Sequence, residues 1–243
     1  MTTETDPSAV QAPAETATLV ANVLARTATT SSEPPNHEPP GRRNALPPTS
    51  REWRASNLGL DESNPKIATL AECCERFVRS CLRDIRDRGT WFVVSGQTGC
   101  GKTHCAEAIR RYYDTRRISC WSMGWLGTAT HVPAPIFAHW PAICELNDIA
   151  FAEWFEDVGP ARLVIIDDFG AESERYRNGA NDSRLLRVLE ACDPRHGKWF
   201  FGTTNIPRFE WTNRYDQRIA DRLRSGAHIG LFDVPSYRLR TPR

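Results

Sequence analysis

The chain has 243 residues, a formal net charge of +1 and 40% hydrophobic residues, enough for one α/β domain with a segment to spare. It contains no run of about 18 apolar residues, which excludes a membrane-spanning helix, and Met1-Thr2-Thr3-Glu4-Thr5-Asp6 lacks the basic and apolar parts of a secretory signal, so a cytoplasmic location is expected. Residues 1–50 are net −2 and the remainder +3, an imbalance too small to mark a nucleic-acid partner by itself.

Residues 1–50 are rich in Thr, Ala, Ser and Pro, with Pro34-Pro35, Pro39-Pro40 and Pro47-Pro48 among few large apolar groups. Such a composition cannot fill a core, and a disordered or partly polyproline tail is expected. Within it, Leu19, Val20, Val23 and Leu24 would share one face of a short helix: either a docking peptide for a partner groove or a transient helix without a role.

The globular part is expected over 51–243. From Pro65 to Arg88, the positions Ile67, Leu70, Cys74, Phe77, Val78, Cys81, Leu82 and Ile85 keep the i, i+3, i+4 rhythm of an amphipathic helix. Its other side carries Arg76, Arg79, Arg83, Arg86 and Arg88, which read as a solvated face or, less simply, as a track for nucleic acid.

Trp91-Phe92-Val93-Val94-Ser95 is a short apolar run suited to a central parallel strand, and it leads into Gly96-Gln97-Thr98-Gly99-Cys100-Gly101-Lys102-Thr103. This is the G-x-x-x-x-G-K-[ST] spacing of a phosphate-binding loop, in which glycines let backbone N–H groups converge on an anion. Lys102 would sit on the β/γ-phosphates and the Thr103 hydroxyl on Mg²⁺. A helix follows, with Ala106, Ile109, Arg110 and Tyr113 at helical spacing.

Arg117 to Met123 reads as a second strand and Thr128 to Phe137 as a loop. Two short helices, Ala138 to Leu146 and Ile149 to Phe155, then carry Trp140, Ile143, Phe151, Trp154 and Phe155, aromatics that read as core rather than as a base-stacking platform. Leu163-Val164-Ile165-Ile166-Asp167-Asp168 is a buried-strand run ending in two acids, the form of a Walker B strand. Asp167 would hold Mg²⁺ and Asp168 would polarise an attacking water.

Asn181-Asp182 offers a cap for a helix over 183–192, and Lys198 to Asn205 forms another apolar strand with a polar tip, where Asn205 could orient the lytic water or simply begin a turn. Residues 213–225 read as one helix closed by Gly226, with Arg218 and Arg222 on one face, and Ile229 to Phe232 as a last strand. The eight cysteines form no C-x-x-C pair, so a zinc site is not expected; most fall at apolar positions as small hydrophobes. Cys100, beside a helix N-terminus, is either filler or a thiol of lowered pKa.

Taken in order, G-K-T-H-C-A around Lys102, Ile165-Ile166-Asp167-Asp168-Phe169-Gly170, Thr203-Thr204-Asn205, Arg218-Ile219-Ala220-Asp221-Arg222-Leu223 and Ser236-Tyr237-Arg238 resemble the DnaC/IstB group of AAA+ ATPases over roughly residues 65–240. The resemblance implies a P-loop fold with a parallel five-stranded sheet between helices. It implies Lys102 and Thr103 as Walker A, Asp167 and Asp168 as Walker B, Asn205 as sensor 1, Arg218 or Arg222 as arginine finger and Arg238 as sensor 2. Members of the group bind ATP and Mg²⁺, self-associate, contact DNA, and load a replicative helicase or assist a transposase. A loader acting on single-stranded DNA is the leading expectation and a transposition helper the alternative. A P-loop kinase and a nucleotide-gated adaptor are further ones. Residues 1–50 match no accessory domain of the group, and the end after Phe232 is short for a helical lid.

Overall fold

The computed structural model describes residues 64–83, 88–122 and 133–236. The expected tail over 1–50, with its short helix, and Arg238 lie outside the described residues, as do Ile85 and Arg86.

The strands β1 (Trp91–Gly96), β2 (Ile136–His139), β3 (Leu163–Phe169), β4 (Trp199–Thr204) and β5 (Ala227–Leu231) form one sheet in the order β2-β3-β4-β1-β5. Every pairing is parallel. A parallel sheet needs crossovers, and helices α1 (Pro65–Arg83), α2 (Lys102–Ser122), α3 (Trp140–Cys144), α4 (Asp148–Val158), α5 (Gly179–Ala191), α6 (Trp211–Arg214) and α7 (Gln217–Ser225) supply its cover.

Alternation along the strands divides the core in two. Phe92, Val94, Ile165 and Phe201 turn toward α1 and α2, where Phe77 packs edge-on against Trp199 and Ile67, Leu70 and Ile109 are fully buried. Trp91, Val93, Val164, Ile166 and Phe200 turn to the other face, against Phe151, Trp154, Leu185, Leu189, Ile219 and Leu223. Removing a ring as buried as Phe201 would cost about 3–5 kcal/mol. The central strands β1, β3 and β4 are apolar on both faces for this reason, which is what made them readable.

Several expectations are corrected. The stretch from Arg117 is helix through Ser122, as the end of α2; Asp114-Thr115-Arg116-Arg117 contains no Gly or Pro to stop the helix, so the β-rich composition that follows is overridden. The second strand is Ile136–His139 instead, at the sheet edge, and the helix after it begins at Trp140 with Pro141 in its first turn. The cap of α5 is Asn178, whose side chain accepts from Asn181 N, three residues before the expected position. The single helix expected over 213–225 is two, because Tyr215 is extended and Asp216 caps α7 by accepting from Ile219 N.

Gly226 follows α7 in extended conformation, not in the left-handed one expected of a helix-closing glycine. It is needed for close approach: a Cβ there would lie 2.6 Å from both Cβ and O of Trp91. Helix α1 ends in the described residues at Arg83, and Arg88 to Thr90 are not helical. Among the described residues, no helix is long and apolar enough to cross a membrane.

Candidate nucleotide site

The site lies at the C-terminal ends of β1, β3 and β4, where an open α/β sheet offers its ligand crevice. Between β1 and α2, Gly99 (φ 82°) and Gly101 (φ 101°) take left-handed conformations that a side chain would strain, and they wrap residues 96–101 around the start of α2. The first N–H groups of α2 have no acceptor within the helix and point into this loop.

Lys102 is 6% exposed. Its ammonium donates to Gly96 O at 2.9 Å, Gln97 O at 3.0 Å and Asn205 Oδ1 at 2.8 Å, so all three protons are aimed inward across the loop. Cys100 is fully buried, and burial pushes its thiol up although the Lys102 charge pulls the other way. It is therefore packing filler, not a lowered-pKa thiol. Thr103, next in α2, is exposed.

Strand β3 bulges where its two acids sit. Ile166 pairs with Gly202 and Phe169 with Thr204, leaving Asp167 and Asp168 opposite Thr203 alone. Asp168 takes φ 60°, unusual for a residue with a side chain and a mark of local strain of the kind that collects at functional sites. Asp167 is 2% exposed; it accepts from Thr203 Oγ1 at 2.5 Å, and His139 Nδ1 lies 3.6 Å away. Asp168 N donates to the same Thr203 oxygen at 2.9 Å, and its carboxylate accepts from Asn205 Nδ2 at 2.8 Å. Burial, with the neighbouring Asp167 charge, raises the Asp168 carboxyl above its ordinary value; His139, Lys102 and Asn205 oppose that rise.

The structure thus brings together Gly96 to Thr103, Asp167, Asp168 and Asn205, with Asn205 bonded at once to Lys102 and Asp168. Arg218 and Arg222 stand on α7, apart from this cluster in the hydrogen-bond pattern. Arg218 pairs with its own helix cap, Asp216, at 3.0 Å, and its side chain is 71% exposed. Arg222 pairs with Glu190 of α5 at 3.0 Å.

Two members were not singled out from sequence. His139 joins the site only through the register that sets it beside Asp167 on the neighbouring strand. Thr203 was visible in Thr203-Thr204-Asn205, but its double role depends on the bulge opposite.

The donor set fits a nucleoside triphosphate with a divalent cation: glycines in left-handed conformation around a helix N-terminus, one inward-aimed ammonium, an exposed hydroxyl on Thr103, and a buried carboxylate on Asp167.

No protein-family model and no curated protein matches the sequence. Solved structures do. DnaI aligns with a TM-score of 0.57 at 19% identity, covering 79% of this chain and 94% of that one. A DNA replication initiation factor aligns at 0.50 and 12% identity, over 68% of this chain and 46% of that one. The replication initiator DnaA bound to AMPPCP and single-stranded DNA aligns at 0.50 and 13% identity, over 67% and 45%. The chain therefore spans less than half the length of the latter two. These likenesses carry the fold alone: an α/β domain with a five-stranded, all-parallel sheet covered by helices.

Proposed function

We propose that this chain is an ATP-binding and ATP-hydrolysing AAA+ protein that acts in DNA replication, as a DnaC-like loader of a replicative helicase in contact with single-stranded DNA. The observation that carries the reading is the Lys102–Asn205–Asp168 chain of hydrogen bonds. It joins the phosphate-binding ammonium to the catalytic acid through a side chain with both an acceptor and a donor. That the fold is shared with DnaI, and with a DnaA that binds AMPPCP and single-stranded DNA, supports the nucleotide and the setting.

In this reading Lys102 and the N–H groups of the loop hold the phosphates. Asp168 accepts a proton from water aligned by Asn205, and its raised pKa makes it a better base than an exposed carboxylate. The Thr103 hydroxyl and Asp167 would hold Mg²⁺, which when bound would neutralise phosphate charge. Arg218 is the arginine finger offered to a neighbouring subunit, because it is exposed and, among the described residues, held by its own cap alone, whereas Arg222 is engaged with Glu190 of another helix. By the motif resemblance alone, Arg238 would act as sensor 2.

The test is ATP turnover per subunit over a range of protein concentrations, with and without single-stranded DNA, for wild type, Arg218→Ala and Arg222→Ala. Turnover rising steeply with concentration, stimulated by DNA and lost in Arg218→Ala, is expected. Concentration-independent turnover unaffected by either change would replace this mechanism with a self-contained site of the kinase or adaptor kind. Stimulation by duplex DNA and a transposase, but not by single strands, would move the protein to transposition.

A further inference from the structure

Arg214, the last residue of α6, connects three parts of the fold through one guanidinium. Nη2 pairs with Glu172 Oε1, Nη1 donates to Asp182 Oδ1 at 3.1 Å, and the group lies 4.5 Å over the Tyr215 ring. The Arg214 side chain is 16% exposed and that of Glu172 is 0% exposed. A buried cluster of this kind is a poor device for stability alone, since apolar side chains of similar volume commonly do as well or better. Its position offers another reason.

Glu172 lies four residues beyond Asp168. The segment between them is packed without slack: Gly170 sits at φ 85°, where a Cβ would meet Ile206 Cδ1 at 2.3 Å and the Tyr215 hydroxyl at 3.1 Å. Ile206 follows Asn205, and the Phe169 ring lies 6.3 Å from that of Tyr215. Tyr215 in turn precedes Asp216, which caps α7 and holds Arg218. Asp182 belongs to the first turn of α5, the helix against which α7 packs.

We propose that Arg214, held by Glu172 and Asp182, is a positioning residue that couples the Asp168–Asn205 centre to α7 and so sets how Arg218 is presented to a neighbouring subunit. The proposal rests on the function argued above. Glu172 Oε2, Arg214 Nε and the Tyr215 hydroxyl are buried in the cluster without a partner among the described residues, which leaves donors and acceptors for a second arrangement. Coupling between sites needs such an element with two arrangements. The guanidinium suits it because its fork engages two carboxylates at once, which an ammonium does less well.

The full chain is tested as Arg214→Met, which keeps length, and as Glu172→Gln, which keeps shape. Amide exchange of residues 217–225 is expected to rise about tenfold while that of 91–113 is unchanged. ATP affinity should stay within about threefold and turnover fall at least about tenfold. In an Arg218→Ala background, Arg214→Met should cost less than about twofold more, since the two act in series. Arg214→Lys should restore part of the turnover.

Uniformly faster exchange would mean a merely structural role and overturn the proposal, as would unchanged exchange over 217–225 or multiplying losses in the double variant. A wild type without turnover would count against the proposed function, while the exchange pattern would still decide the coupling.

Discussion

The Thr203 hydroxyl donates to the Asp167 carboxylate at 2.5 Å, across the bulge of β3. The same oxygen accepts from Asp168 N, so one side chain fixes the aim of both acids. Thr203→Val keeps the shape and removes both bonds. Outer partners of metal-holding carboxylates are worth about 10- to 100-fold in metal affinity, so half-saturation of turnover by Mg²⁺ should rise by about that factor, with Thr203→Ser near wild type. Identical Mg²⁺ curves for wild type and Thr203→Val would remove Thr203 from this role.

Asp168→Asn should separate binding from turnover. General-base loss typically costs about 10²- to 10⁴-fold in rate, while the Lys102 contacts with the loop carbonyls do not involve Asp168. Nucleotide affinity measured with a fluorescent analogue is expected within a few-fold of wild type. Turnover that survives the substitution would reassign the base.

His228 on β5 bonds Ser95 Oγ at 2.7 Å and meets the Trp211 ring edge-on; burial, with the Arg208 charge, lowers its pKa to about 4. Because the folded value lies below the ordinary one of about 6.5, the unfolded chain takes up a proton first as pH falls. Stability is therefore fully present above about pH 6.5 and is lost on acidification toward pH 4, the range the lowered pKa defines. The ring is only half buried, so solvent screening reduces the effect to about 1–2 kcal/mol. Urea midpoints across this range should fall more steeply for wild type than for His228→Gln, and parallel curves would contradict the assignment.

Gly226→Ala tests the close approach of the α7–β5 connection to β1. At φ −89° the backbone suits any residue, so the penalty is steric, set by the 2.6 Å distance from the added Cβ to Trp91. Overpacking of this kind costs about 1–3 kcal/mol. An unchanged unfolding midpoint would show that Trp91 yields without cost.

The strands that end at the candidate site were readable because each is buried on both faces and ends in polar groups: Val93 and Val94 before the glycine loop, Ile165 and Ile166 before Asp167, Phe200 and Phe201 before Asn205. Burial writes a continuous apolar run, and the ligand crevice writes the polar tip. Strand β2 lacks the first mark, being four residues, all but Ala138 at least partly exposed, at an edge between Pro135 and the start of α3, so its polar tip His139 stood out from nothing. The run from Ile118 to Trp121 has strand composition, yet α2 continues through it from Arg117 because propagating a formed helix costs less than starting a strand. His139 and the Glu172–Arg214–Asp182 cluster depend on pairings between distant segments, which no local pattern records.

The strand order has a consequence for how the chain is made. β1 lies between β4 and β5, and its partners Phe200 and Ile229 are more than 100 residues further along. When a ribosome has released the phosphate-binding loop, both flanks of its strand are still to be synthesised. Contacts this distant in sequence form slowly and leave apolar strand surface open in the meantime. Until the segment through Leu231 has emerged, Phe92 and Val94 have no complete sheet to join, and the apolar faces of β1 stay without their strand neighbours throughout that interval.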